Sequence, residues 1–206
     1  MSELPLIRAD LHVHTKYSSD ASIQPKTIAD QLYAHSSIKA VAITDHNTVE
    51  GYHKVRKLAS AYEDILIIPG VEISTNEGDV VILGTAELPP KPWTVKTVVN
   101  FAKERNNLTI VAHPYRAYGL GDKAKNYDFD AIEVLNGVST SHINRMAEDL
   151  AREMGLPGVA GGDAHVAEEL WTVYTEIQAS ADIDEIFSAI RKGQIRVAQT
   201  EKSIHF

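Results

Sequence analysis

Residues 40–74 read AVAITDHNTVEGYHKVRKLASAYEDILIIPGVEIS, and this stretch decides the fold. It opens with a short apolar run (AVAITDH, 40–46), passes through a mixed segment (NTVEGYHKVRKLASAY, 47–62) and closes with ILIIPGVEIS (65–74). Strands buried on both faces read as nearly unbroken Val/Ile-rich runs. Two such runs separated by a helix imply parallel strands joined by a crossover. Asn47 is the expected cap of that helix, with Glu50 three residues later at capping-box spacing.

The same pattern repeats in both directions. Further strands are expected at 7–14, 79–84, 108–114, 131–136, 156–165, 172–177 and 195–200. Helices are expected in QPKTIADQLYAH, where Ile28, Leu32 and Tyr33 share a face, and in WTVKTVVNFAKERNN. STSHINRMAEDLAREMG and SADIDEIFSAIRKG complete the set, stopping at Gly155 and Gly193. The alternation fits an α/β fold of the closed β/α-barrel kind better than a doubly wound sheet. No linker or low-complexity run divides residues 1–206, so one domain is expected.

Composition excludes several classes. The net charge of -8 argues against the broad basic footprint of a nucleic-acid binder, though not against a small anionic substrate. The absence of cysteine rules out disulfides and thiolate chemistry. MSELPLIRADLH lacks the apolar core of a signal peptide, and no run approaches the ~18 residues of a membrane span, so a cytoplasmic protein without a membrane partner is expected.

In a β/α barrel, chemistry collects where strands end. Those ends carry His12 and His14, with Asp20 in the loop after them. Then come Asp45 and His46, Glu72, His113, and finally Asp163 and His165. His12 and His14 alternate along a strand and so project from one face. A lone histidine is ordinarily a hydrogen-bonded core or surface residue, and Asp45 could merely cap a helix. A carboxylate inside an apolar run, such as Glu72 in PGVEIS, must be paired or bound to a metal. Five of the nine histidines sit at strand ends, and their clustering is what points to metal. His35, His53, His142 and His205 read as surface residues. Imidazole and carboxylate without thiolate suit Zn, Mn or Fe. Eight candidate ligands exceed the needs of one ion, so two or more divalent ions are expected, with Glu72 as the natural bridge.

DLHVHT, ITDHN, PGVEIS, AHP and GGDAH, in this order, resemble the PHP (polymerase and histidinol phosphatase) family, from about Asp10 to His165. The resemblance implies a distorted (β/α)7 TIM-like barrel with a two- or three-metal centre, and phosphoesterase activity on small phosphates or nucleotides. It implies one metal on His12, His14, Glu72 and Asp163, a second on Asp20, His46 and His165, and a third on Glu72 and His113. It makes Asp45 a carboxylate that orients a ligand histidine, and Glu72, Asp163 and His165 the residues that carry catalysis. In DVVILG, Val81 stands where relatives with three metals commonly carry a histidine. The third site then lacks a ligand, which water, substrate or a carboxylate such as Glu133 would supply. Two further departures are the missing Gly in VAEELWTVYTEI and the lack of room for an inserted cap domain, which implies an open site.

Arg116, in AHPYR, is expected to grip a phosphate oxygen. The expected partner is a small phosphorylated substrate, nucleotides included, without a stable nucleic-acid complex; the oligomeric state is not legible. Two other readings remain open. One is hydrolysis of a non-phosphate substrate, against which stands the absence of a Lys at any strand end. The other is a metal-stabilised module without activity.

Overall fold

The computed structural model describes residues 5–200. All nine expected strands form: β1 (Ile7–Val13), β2 (Ala40–Ile43), β3 (Leu66–Ser74), β4 (Asp79–Leu83), β5 (Leu108–Val111), β6 (Ala131–Asn136), β7 (Gly158–Gly161), β8 (Val173–Ile177) and β9 (Ile195–Gln199). Five α-helices accompany them among the described residues: α1 (Pro25–Ala34), α2 (Glu50–Ala59), α3 (Val95–Glu104), α4 (Ser141–Met154) and α5 (Ile183–Arg191). None is long and apolar enough to cross a membrane.

The strands make one sheet in the order β7-β6-β5-β4-β3-β2-β1-β8-β9. Seven strands share a direction, and β4 and β8 run against them. The all-parallel expectation is therefore corrected at two places. β4 follows β3 across residues 75–78, a turn far too short for a crossover, so the pair forms an antiparallel hairpin. The strands that carry the candidate ligands, β1, β2, β3, β5 and β7, all run the same way, so their C-terminal ends meet at one end of the fold.

The sheet curls into the expected distorted barrel, nearly closed where β7 returns to β1. Closure is partly made by side chains. The Thr175 hydroxyl reaches both the N–H (2.8 Å) and the carbonyl (3.2 Å) of Ala160, and Asp10 Oδ1 accepts from Gly162 N at 2.7 Å. Beyond β7 the backbone completes the seam, with Asp163 N donating to His12 O at 2.7 Å and His14 N to Ala164 O at 3.1 Å. Small and apolar side chains fill the interior (Ala9, Leu11, Ala42, Ile68, Leu83, Leu108), and Phe187 and Ile190 of α5 pack onto that core. Val98 and Phe101 of α3 and Leu150 of α4 cover the outside on one flank, and α1 and α2 cover it on another.

Three local expectations need correction. Asn47 does not cap α2, which starts at Glu50 after Val49 without a side-chain cap. Asn47 instead adopts φ 58° and ties the end of β2 to β3, its carbonyl oxygen accepting from Ser74 N at 3.0 Å. Tyr33 is half exposed and stacks on Tyr62, whereas Ile28 and Leu32 are buried as expected. Among the remaining histidines, His53 and His142 are exposed, and His35 is half buried, accepting from the Ile38 N–H. His205 lies outside the described residues.

Candidate metal centre

The β1–β2 register shifts between Asp10 and Val13, where the lining changes from Ala9 and Leu11 to imidazole. Such a bulge re-aims side chains. His12 and His14 follow it, with Nε2 atoms 3.0 Å apart. The other ring nitrogens reveal why that matters. His12 Nδ1 is 2.9 Å from Glu133 Oε1, and an ionised carboxylate only accepts, so Nδ1 carries the hydrogen. His14 Nδ1 is 3.0 Å from Ser18 Oγ, whose own hydrogen goes to Asp45 Oδ1 at 2.9 Å. Ser18 therefore accepts from His14. In their neutral forms both Nε2 atoms present lone pairs, and those lone pairs face each other.

Two carboxylates join them. Glu72 Oε2 lies 3.1 Å from His12 Nε2 and 3.2 Å from His14 Nε2, and Asp163 Oδ1 lies 3.4 and 3.3 Å from the same atoms. Four buried acceptors aimed at one point require protons or a cation between them. Protons alone can serve: although burial pushes the His14 imidazole down, hydrogen bonds to Asp163 and Glu72 lift it to about 9. His12 is likewise raised against its burial by Glu72, Glu133 and Asp163. A divalent ion replaces those protons with one compact charge, and oxygen and imidazole donors without sulfur suit Zn, Mn or Fe. The donor set fits a metal.

Glu72 is the hub. It is fully buried in β3, and its Oε1 lies 3.0 Å from His113 Nε2 while its Oε2 also lies 3.3 Å from His46 Nδ1. Burial acts to raise its pKa, but the charge of His12 and hydrogen bonds from His113, His12 and His14 hold it well below the usual carboxylate range. The parallel bridge between His46 and Glu72, with Asn47 N donating to Glu72 O at 2.8 Å, sets His46 in place. His46 Nδ1 and His113 Nδ1 are buried without a hydrogen-bond partner.

Around this hub, donor atoms within 4.8 Å of one another form three groups: His12, His14, Glu72 and Asp163; His14, His46 and His165; and Glu72, Asp79 and His113. Asp20 stands at the edge of the second, its Oδ2 3.6 Å from His46 Nε2 and 3.5 Å from His165 Nε2. The site thus brings together every candidate ligand read from the sequence, and it adds one.

The addition is Asp79. It pairs with Ser74 across β3–β4 as Val81 pairs with Glu72, so Glu72, Ser74, Val81 and Asp79 share a face. Burial, then the charge of Glu72, raises the Asp79 carboxyl to about 6. Glu133, expected as a substitute ligand, instead bonds His12 Nδ1 and accepts from His113 N (2.7 Å) and Asn136 Nδ2 (3.0 Å). Val81 is buried in the apolar core. Asp45 also departs from expectation: it touches no ligand histidine and acts through Ser18, while accepting from Thr15 N at 2.6 Å. Ser18 and Asp79 escaped sequence reasoning because neither lies at a strand's C-terminal end. Their signals were the i,i+4 step from His14 and the period of two from Val81.

Arg116 does not stand free. Its Nη1 bonds Asp163 Oδ2 and, at 3.4 Å, Asn136 Oδ1, and its side chain is 35% exposed. Nε and Nη2 make no hydrogen bond among the described residues, so part of its planar fork stays available beside the cluster. Two site residues sit in the left-handed region, His113 at φ 26° and Asp163 at φ 53°. Non-glycine residues hold such angles only where surrounding bonds over-determine them; here His113 N is fixed by Glu133 and Asp163 N by His12 O. Gly161 is needed for the same packing, since a Cβ there would come within 2.3 Å of Glu133 Oε1 and 2.4 Å of His12 Cβ.

Comparison with known proteins agrees with this geometry. Residues 142–195 match the PHP-associated family model. Over 165 residues the chain is 32% identical to an uncharacterized protein of Methanocaldococcus jannaschii, spanning 71% of this chain and 95% of that one. The chain belongs to the PHP family. A second uncharacterized protein of the same organism is 28% identical over 178 residues, covering 82% of this chain and 69% of the other. Among solved structures, the PHP barrel described above is similar to PsfC from Pseudomonas syringae, with TM-score 0.73, 18% identity, and 95% and 92% of the two chains covered. It is also similar to an amidohydrolase from Chromobacterium violaceum solved with bound sulfate and no metal, with TM-score 0.62, 17% identity, and 77% and 87% covered. A structure from Bifidobacterium adolescentis described as a metal-dependent phosphoesterase gives TM-score 0.60 and 14% identity, with 76% and 87% covered. At these identities the solved structures share the fold.

Proposed function

We propose that this PHP protein is a metal-dependent phosphoesterase that hydrolyses a small phosphate ester, nucleotides included. The observation that carries the reading is the pair of buried, mutually facing Nε2 atoms of His12 and His14, closed by Glu72 and Asp163. His12, His14, Glu72 and Asp163 would hold one ion, Asp20, His46 and His165 a second, and Glu72, His113 and Asp79 a third, with Glu72 shared. Such ions supply Lewis-acid charge and acidify water.

The chain's own groups do the rest. Glu133 and Ser18 keep His12 and His14 in the ligating tautomer, the support that a carboxylate or hydroxyl gives a metal-bound imidazole. Asp163 is held far below the ordinary carboxylate range, since the charge of His12 and the hydrogen bond from His14 outweigh its burial. Arg116, anchored on Asp163, turns its unengaged nitrogens to a phosphate oxygen. His165 donates Nδ1–H to Asp163 O at 2.8 Å, which leaves Nε2 for the second ion and argues against His165 as proton donor.

Family membership and the described function of the Bifidobacterium structure support the phosphoesterase reading. Among the described residues no lysine is buried, which counts against the lysine-bridged hydrolysis of amides. The test is metal analysis of protein purified without chelators, paired with a hydrolysis screen. Phosphate release from esters by the Mn, Fe or Zn form is expected. Hydrolysis of amides or lactones alone, or no phosphate release from any ester, would overturn the reading.

A further inference from the structure

Beside the metal cluster lies a cleft of about 430 Å³, within the ~300–1,000 Å³ common for small-molecule sites. Its walls come from the loop after β1, the turn after β2, the β3–β4 hairpin and the loop after β5. His46, Asp20 and Asp79 form its inner end, so a substrate whose phosphorus meets the cluster must extend its remaining part into this space.

Two features limit what that part can be. No lysine or arginine lines the cleft, and its only carboxylates are Asp20 and Asp79, both of which face the cluster. Its other polar walls, Ser19, Asn47, Ser74 and Thr75, are neutral hydrogen-bonding groups. A second phosphoryl group there would meet carboxylates with no side-chain cation to offset it. The other feature is Tyr118, on the rim and 81% exposed. Its backbone is pinned, with Asp79 N donating to Tyr118 O at 2.7 Å, Gly119 N to Arg116 O at 3.0 Å and Gly121 N to Pro114 O at 2.7 Å. It holds φ 64°, a strained angle for a residue with a side chain. An uncovered aromatic ring on a fixed backbone gives a planar ligand a stacking face without ordering a loop. Arg116 lies two residues earlier in the same loop, so one segment carries both the anion grip and the ring.

We infer that this cleft receives the leaving group, that the leaving group is an uncharged, hydroxyl-bearing alcohol with a planar ring, as in a nucleoside, and that Tyr118 stacks on the ring. The inference rests on the phosphoesterase reading and adds the substrate class to it.

The experiment compares a nucleoside 5′-monophosphate, its 3′,5′-bisphosphate and glycerol phosphate on the metal-loaded wild type, Tyr118→Ala and Tyr118→Phe. In Tyr118→Ala, kcat/KM for the monophosphate should fall roughly tenfold relative to that for glycerol phosphate, and Tyr118→Phe should restore most of it. The bisphosphate should be the poorer nucleotide for the wild type. An equal fall for ringed and ringless substrates, or a preferred bisphosphate, overturns the inference. Calorimetric binding of the monophosphate to the Mn-loaded protein gives a second readout that needs no turnover. If no ester is hydrolysed yet Tyr118→Ala weakens binding tenfold, the phosphoesterase reading fails and the cleft assignment stands. If esters are hydrolysed and neither readout responds to Tyr118, the cleft assignment alone fails. The exposure of Tyr118 removes misfolding as an explanation.

Discussion

Replacing Glu133 with glutamine tests how the barrel prepares His12 to bind metal. The carboxylate accepts three hydrogen bonds: Oε1 from His12 Nδ1 at 2.9 Å, and Oε2 from His113 N at 2.7 Å and Asn136 Nδ2 at 3.0 Å. A glutamine has one oxygen and one amide nitrogen. With nitrogen in the Oε2 position it would oppose two donors, so the oxygen takes that place and the nitrogen faces His12. His12 Nδ1 must then accept, which moves its hydrogen to Nε2, the atom that lies 3.0 Å from His14 Nε2. The metal meets a blocked nitrogen unless the tautomer reverts and leaves the amide unpaired. Loss of such a supporting group weakens metal affinity about 10–100-fold, or about 1.4–2.8 kcal/mol. The assay is competition with a chelator of known affinity at fixed pH, with circular dichroism to establish that the fold is kept. Wild-type affinity in a folded Glu133→Gln protein would refute the tautomer argument.

Four other outcomes are expected. Glu72→Ala should lower metal content by more than one equivalent, because both of its oxygens face histidines of different groups; elemental analysis showing a loss of one ion or fewer would rule out bridging. Asp79→Ala should remove the ion of the Glu72–His113 group alone, and Val81→His in that background should restore it; an unchanged metal count in Asp79→Ala would show that Asp79 is no ligand. Thr175→Val keeps the volume but strips the seam hydroxyl from Ala160 N and O, and at about 1–3 kcal/mol per buried orphan group it should be clearly visible in urea unfolding; a change below ~0.5 kcal/mol would mean that the seam needs no such clasp. The last concerns pH. His14 is raised from 6.5 to about 9, so its charge stabilises the metal-free protein fully below about 6.5, and that contribution fades as pH rises through 9. Thermal melts of the metal-free protein should fall across this window, and metal should bind more tightly as pH rises, with proton release in calorimetry. Melts that hold steady or rise across it would contradict the assignment.

Most of the fold was legible because strands buried on both faces leave continuous apolar runs, and all nine were found at nearly their observed positions. The reversal of β4 was foreshadowed only by the short gap before Asp79, and that of β8 by nothing local, since strand direction depends on which edge a segment joins. Asn47 shows the same limit: its position fits a cap, but the turn is held by Ser74, in another strand. In the site, the ligand types were readable from their place at strand ends. Their supports were not, because Glu133 lies 121 residues from the histidine it orients.

By itself the sequence determined the alternation of strands and helices, the family motifs and which side chains could hold metal, all properties of residue type and local period. The tertiary structure alone decided which donors share an ion, that Asp79 joins them while Val81 stays in the core, that Arg116 is tethered to Asp163, and that Ser18 stands between Asp45 and His14. Those facts depend on atoms brought within about 3 Å by the curl of the barrel, and no pattern along the chain encodes that distance.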